Sequence, residues 1–243
     1  MYLKILKYAI SPPNVVFPFP IIPILIGSFT GKVTEIWKPI LLTLLFYPAI
    51  NLWNHINDAQ DDFKAGKDTP FIFDSVKNTT LWVISFLYLL SSIFIYFVGR
   101  VYGLLFFFLL FISTFLYSDN TILKIRLKKH YFGELLVYLV SIPSGVFMLY
   151  STIKPPDFEA IKLALMITPF MLSTVFVKDL KDISADKKAG LKTLGVAFPS
   201  EFLLKISIIM MILYFLEGIY IFRNKIIFLV SFIPLIIFPY CIA

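Results

Sequence analysis

Apolar runs with few charges recur along this chain, and their length leaves few folds open to it. Eight stretches, approximately 14–30, 38–55, 80–98, 101–118, 132–152, 159–177, 202–222 and 226–242, are candidate bilayer spans; a helix needs roughly 20 apolar residues to cross the hydrocarbon core. Lipid offers the backbone no hydrogen-bond partner, so segments of this kind must satisfy their own amide groups, as helices do. Hydrophobic residues make up 59% of the 243, above the roughly 45–50% of a soluble domain, and no soluble core absorbs that excess. The expectation is an all-α polytopic membrane protein of about eight transmembrane helices, a single domain over residues 1–243. The opening MYLKILKYAISPPN carries no small-residue cleavage site, so no removable signal peptide is expected. One cysteine, Cys241, excludes an intrachain disulfide and a cysteine-built metal site.

The charges between the runs fix an orientation. Lys4, Lys7, Lys64, Lys67, Lys77, Lys124, Arg126, Lys128, Lys129, Lys178, Lys181, Lys187, Lys188, Lys192 and Lys205 fall on one side. Lys32, Lys38, Arg100, Lys154, Lys162, Arg223 and Lys225 fall on the other. Positive loops stay inside, which places the N-terminus and the loops after spans two, four and six in the cytoplasm of a multi-pass cell-membrane protein. The net charge of +7 is accounted for by topology, and no nucleic-acid partner is expected.

Two polar segments on that side resemble each other. Asp58-Ala-Gln-Asp-Asp62-Phe-Lys64-Ala65-Gly66-Lys-Asp-Thr69 matches Asp182-Ile-Ser-Ala-Asp186-Lys-Lys188-Ala189-Gly190-Leu-Lys-Thr193 in the pattern D-x-x-x-D-x-K-A-G-x-x-T, 124 positions later (182 minus 58). Each copy follows the second span of a four-span half. The halves, about 1–124 and 125–243, read as an internal duplication of the kind common in membrane folds.

Acidic residues gather in the same two segments: Asp58, Asp61, Asp62, Asp68 and Asp74 in the first, Asp179, Asp182 and Asp186 in the second. If span two continues as a helix past the membrane edge, Asn54, Asp58 and Asp62 recur every fourth residue, with Asp61 on the same side. Like charges this close repel unless a cation lies between them. Oxygen ligands select hard cations, and Mg²⁺ prefers a few carboxylates together with water and phosphate oxygens. Two such stripes facing each other suit Mg²⁺ and a diphosphate; ordinary solvated inter-helix segments are the plainer reading. Lys124, Arg126, Lys128, Lys129 and His130 crowd the loop after span four. They serve either as a positive-inside anchor or as a clamp on diphosphate oxygens, with Arg126 as a bidentate fork and Lys128 as a point charge.

These residues resemble the UbiA superfamily of intramembrane prenyltransferases. Asn54-His-Ile-Asn-Asp58-Ala-Gln-Asp-Asp62 is similar to that family's first N-x-x-x-D-x-x-x-D motif. Lys178-Asp179-Leu-Lys-Asp182-Ile-Ser-Ala-Asp186, with the tail Gly190-Leu-Lys-Thr193-Leu194, is similar to its second. Tyr117-Ser118, Arg126, Lys128 and Gly133-Glu134 match the loop between helices four and five, and Pro13-Asn14 matches part of the opening motif, with Ser11 where an arginine is usual. The resemblance spans nearly the whole chain in order. It implies Mg²⁺-dependent transfer of a prenyl chain from an allylic polyprenyl diphosphate to a hydrophobic acceptor, an aromatic quinone precursor or a lipid, within the membrane. It further implies catalytic Asp58, Asp62, Asp182 and Asp186. Metal contacts are expected from Asn54, Asp58, Asp61, Asp62, Asp182 and Asp186, and diphosphate contacts from Asn54, Arg126, Lys128, Lys178 and Tyr117. Asn57-Asp58-x-x-Asp61 offers a competing register for the first motif. Tyr47, Trp53 and Tyr117 are the aromatic residues nearest the motifs and the candidates to face a carbocation. A transporter or cation-binding protein, and a degenerate scaffold of the same family, are the alternative readings; a transporter should carry its acids near the bilayer midplane.

Overall fold

A computed structural model describes residues 2–10, 21–64 and 66–222; side chains of residues 2–4, 179, 181, 182 and 185 lie outside that description. The described helices are α1 (Tyr2–Ala9), α2 (Ile21–Phe29), α3 (Trp37–Lys64), α4 (Asp74–Ser118), α5 (Tyr131–Ser151), α6 (Phe158–Lys188), α7 (Leu194–Ala197) and α8 (Ser200–Ile221), with short 3₁₀ turns between some of them. Among the described residues, five helices are long and apolar enough to cross a membrane: α3, α4, α5, α6 and α8. The expected span 14–30 falls partly, and the expected span 226–242 wholly, outside the described residues.

The 45-residue α4 is two spans in one. Arg100, with φ 56° and ψ −159°, breaks the helical course, and the chain folds back on itself. The Tyr88 and Phe111 rings lie 4.8 Å apart. In a straight helix, 23 residues at 1.5 Å each would separate them by about 35 Å. Gly99 and Gly103 make the turn compact: a Cβ on either would strike the Ile95 side chain and come within 3.4–3.6 Å of Ser151 on α5. Small residues of this kind let membrane helices approach closely. The two expected spans 80–98 and 101–118 are therefore the two limbs of this hairpin.

The core is built from the inward faces of α2 to α6 and α8. Phe46 of α3 stands edge-on to Tyr88 and Phe107 of the α4 limbs. Leu149 and Tyr150 of α5 and Leu163, Ile167 and Phe170 of α6 complete one continuous cluster, which Tyr214 of α8 joins. Buried hydroxyls satisfy themselves on the preceding turn, as Thr80 does on the Val76 carbonyl and Ser91 on that of Leu87. Hydrophobic surface remains exposed on the outside, including Trp82, Phe86, Phe97 and Val101 on α4 and Ile208, Ile212 and Leu216 on α8, as a lipid-facing surface should be.

Both acidic motifs lie on helices rather than in loops. The i, i+4 spacing of Asn54, Asp58 and Asp62 is helical throughout, because α3 continues to Lys64. Helix α6 likewise continues to Lys188. The two helices also end alike. Gly66 and Gly190 take left-handed φ values of 83° and 72°, which only glycine adopts without strain. The N–H after each glycine then donates back to an aspartate carbonyl at 2.9 Å, Lys67 to Asp62 and Leu191 to Asp186. This is a Schellman-type stop, made twice, 124 residues apart.

The loop after α4 touches both helix ends. Residues 129–131 pair with Lys192 in a short parallel bridge: Tyr131 N donates to the Lys192 carbonyl at 2.7 Å, and Lys192 N to that of Lys129 at 2.8 Å. Cysteines introduced at Lys77, Lys129 and Lys192, with Cys241 replaced by serine, are expected to react with an impermeant thiol reagent from the cytoplasmic side alone. A Lys32→Cys control should react from the other side. Labelling of positions 129 and 192 from opposite sides would be incompatible with the contacts just described.

Candidate active site

Three segments converge where α3, the α4–α5 loop and the end of α6 meet. Asp58 and Asp61 lie one helical turn apart on α3 and reach the same guanidinium. Arg126 Nη2 is 3.0 Å from Asp58 Oδ1, and Arg126 Nη1 is 2.6 Å from Asp61 Oδ2. Lys128 Nζ also donates to both oxygens of Asp58. Arg126 is 4% exposed and Lys128 8%, so neither is a solvated membrane anchor. Asp62, one residue beyond Asp61, lies 3.3 Å from Lys67 Nζ at the rim.

The loop that delivers Arg126 and Lys128 is organised from within. Asp119, fully buried, accepts from the backbone N–H groups of Thr121, Ile122, Leu123 and Lys124. Burial works to raise its carboxyl, but those four donors hold it below the usual carboxylate range. Asn57 Oδ1 accepts from Asn120 N and Thr121 Oγ1, each at 2.8 Å. Asn54 Oδ1 accepts from Ser118 Oγ at 2.5 Å. Two asparagines of the first motif thus clasp the start of the loop, and Arg126 closes it in a left-handed conformation, φ 40°.

Charge within the cluster is unevenly held. Burial pulls the Lys128 ammonium below the ordinary lysine value, Asp58 opposes this, and Arg126 and Lys178 add repulsion. Burial also disfavours the Arg126 charge, but Asp58 and Asp61 more than offset it and raise that group. Lys178 of α6 is therefore electrostatically part of the same site. Lys128 also stands 5.6 Å from the centre of the Tyr117 ring, a cation–π contact.

Tyr117 leads on to the second motif. Its hydroxyl donates to Glu134 Oε1 at 2.9 Å and lies 2.7 Å from Tyr138 Oη. Glu134 Oε2 accepts from Leu194 N at 3.0 Å. Thr193, one residue earlier, donates to Asp186 Oδ2 at 2.7 Å. Asp182 is on α6, one turn before Asp186, with its side chain outside the description. Trp53, a candidate to face the substrate, stacks on Phe115 at 4.8 Å and donates to the Phe115 carbonyl. The residues brought together are thus Asn54, Asp58, Asp61, Arg126, Lys128 and Tyr117, with Lys178 and Asp186 reached through Lys128 and Glu134. Glu134, Asp119 and Tyr138 were not singled out as site residues from sequence. Glu134 had a readable signal: it is the lone acid in an otherwise uncharged 21-residue helix, and such acids are functional by default.

The donor set suits a hard cation. Carboxylate and amide oxygens are what Mg²⁺ takes, and Asp58 and Asp61 already converge on one cationic centre, the Arg126 guanidinium. Among the described residues no three acidic or histidine side chains surround a single point; Asp179 and Asp182 fall outside that statement.

Taken together, the fold and the site define a multi-helix membrane protein with a buried acid–base cluster at one end of its apolar helices. Residues 21–243 match the UbiA prenyltransferase family, and the chain belongs to that family. It is also similar to an uncharacterized protein of Archaeoglobus fulgidus, 35% identical over 222 residues that cover 87% of this chain and 75% of the relative. No solved structure matches.

Proposed function

We propose that this chain transfers a prenyl group from an allylic polyprenyl diphosphate to a hydrophobic acceptor, an aromatic quinone precursor or a lipid, inside the membrane. The observation that carries this reading is the meeting of the first acidic motif with Arg126 and Lys128, in a chain of this family. Acids and bases side by side, mostly buried, suit a ligand that brings both metal and phosphate. Asp58, Asp61 and Asp62 on α3, with Asp182 and Asp186 on α6, would hold Mg²⁺, which would supply Lewis-acid stabilisation of the leaving group.

The remaining steps belong to the chain's own side chains. Arg126 and Lys128 donate to the diphosphate oxygens, the first through its fork and the second as a point charge. Both favour the negative charge that develops as the allylic C–O bond breaks. Lys178 adds to that field. The surrounding apolar helices keep water, the competing nucleophile, from the allylic cation. The acceptor then forms the new bond to the allylic carbon and gives up a proton. A transporter is disfavoured because the acids lie at one end of the helices, not at mid-span.

The chain is one domain over 1–243 built of two repeated halves, about 1–124 and 125–243. Support comes from the two matched helix stops at Gly66 and Gly190. The site then lies where the halves meet, on the cytoplasmic face.

Titration calorimetry on the purified protein tests the proposal. Mg²⁺ alone should bind weakly, because Arg126 and Lys128 already balance Asp58 and Asp61. With a non-hydrolysable allylic diphosphate analogue present, Mg²⁺ should bind about tenfold tighter or more, the scale of ordinary coupling between linked ligands. Equal Mg²⁺ affinity with and without the analogue would exclude a shared site.

A further inference from the structure

At the other end of the molecule a second basic site is built, away from the acidic motifs. Lys38 opens α3 twenty residues before Asp58, about 30 Å along the helix. It lines a cavity of about 160 Å³ with Val98, Gly99, Arg100 and Tyr102 of the α4 turn and Ser151 to Pro155 at the end of α5. Three cations line this cavity, Lys38, Arg100 and Lys154, and no carboxylate does. Two of them have carboxylate partners: Lys38 donates to Glu35 at 2.6 Å, and Lys154 lies 2.8 Å from Asp157. Among the described residues Arg100 makes no ion pair.

The backbone at Arg100 sharpens the point. Its φ of 56° with ψ of −159° is a region that only glycine occupies without cost, and Gly99 stands directly before it. The turn thus places a side chain that the backbone geometry disfavours, and that side chain is exposed and ends in a charge with no ion-pair partner among the described residues. Its surroundings are those of a membrane interface. Phe97 and Val101 flank it, and Trp37, Tyr96 and Tyr102 are exposed around the same end. Aromatic residues of this kind mark the headgroup level.

We infer that this cavity binds the phosphate of an anionic membrane lipid, with Arg100 as its charge partner and Lys38 and Lys154 as further donors. The acyl chains would run down the exposed apolar surface of α4. A bidentate guanidinium–phosphate contact at the headgroup level accounts for the charge, for its position and for the strained turn together.

Native mass spectrometry of the full chain, released from detergent with phosphatidylglycerol or phosphatidylcholine added, tests the inference. Wild type should retain phosphatidylglycerol about tenfold better than phosphatidylcholine, the scale of one charge-assisted contact. Arg100→Gln should abolish that preference, and Arg100→Lys should keep part of it. Arg100→Gly accepts the left-handed backbone without strain, so it should fold at least as well as wild type and still lose the preference. That variant separates lost binding from lost folding. Equal retention of the two lipids by wild type, or a preference that survives in both Arg100→Gln and Arg100→Gly, would overturn the inference. Displacement of phosphatidylglycerol by an equal concentration of inorganic phosphate would overturn the lipid assignment in favour of a free-anion site.

Discussion

Asp58→Asn is expected to lower prenyl-transfer turnover by roughly 10²–10³-fold, the scale of losing one preorganised electrostatic partner. The change keeps size and removes one negative charge. Asp58 is the acid most deeply committed to the site, meeting both Arg126 and Lys128. With it neutral, those two buried cations lose their common counter-charge. The neighbouring acids separate two roles. Asp62 aligns with Asp186 across the repeat, so Asp62→Asn should cost turnover on a scale similar to Asp58→Asn. Asp61 holds the second arm of Arg126 at 2.6 Å and has Ala185 as its repeat counterpart. Asp61→Asn should therefore raise KM for the diphosphate substrate more than it lowers kcat. Steady-state kinetics on the purified protein read both quantities. A larger kcat loss at Asp61 than at Asp62 would mean that the working motif starts at Asn57, not Asn54. Wild-type rates in all three variants would eliminate the two-motif site.

Much of this architecture was legible because its causes are local. Apolar runs mark spans whatever they pack against, and the break between residues 98 and 101 appears as a polar interruption that becomes the Arg100 turn. The every-fourth spacing of Asn54, Asp58 and Asp62 anticipates a helix that outlasts the apolar run, as α3 does. The repeated motif was legible as a match between two polar segments, whereas the like helix stops at Gly66 and Gly190 are seen only in the structure. What stayed hidden depends on chain segments far apart. The pairing of residues 129–131 with Lys192 involves two short loops with no strand pattern. Whether Arg126 serves as a positive-inside anchor or as a diphosphate clamp is equally undetermined by its neighbours; the structure adds its burial against Asp58 and Asp61. Asn57 and Asp119 organise the loop by hydrogen bonds across 63 residues and across a tight turn respectively, and no periodicity encodes the first of these.

Glu134 carries a readable signal of its own, but its partners lie far apart in the chain, and it yields the second large effect. Its carboxylate is 1% exposed and joins the Tyr117 hydroxyl to the Leu194 amide. Tyr117 backs Lys128 in the first motif's cluster, while Leu194 follows the threonine that holds Asp186. Glu134 is thus a positioning residue between the two motifs. Glu134→Leu removes both acceptors. Tyr117 can still pair with Tyr138, 2.7 Å away, but the Leu194 N–H is left buried and unpaired, which costs about 1–3 kcal/mol. Thermal unfolding in detergent should fall by about 5 °C. Turnover should fall by about 10²-fold, as expected when two halves of a site shift by as little as 1 Å. Glu134→Gln keeps one acceptor and the side-chain volume, so it should recover most of the thermal stability and part of the rate. The decisive readout is the coupling between Mg²⁺ and the diphosphate analogue. A residue that merely filled space would leave that coupling intact in the folded Glu134→Leu protein, whereas one that registers the two motifs should weaken it along with turnover. Full coupling and full turnover in Glu134→Leu would remove Glu134 from the site.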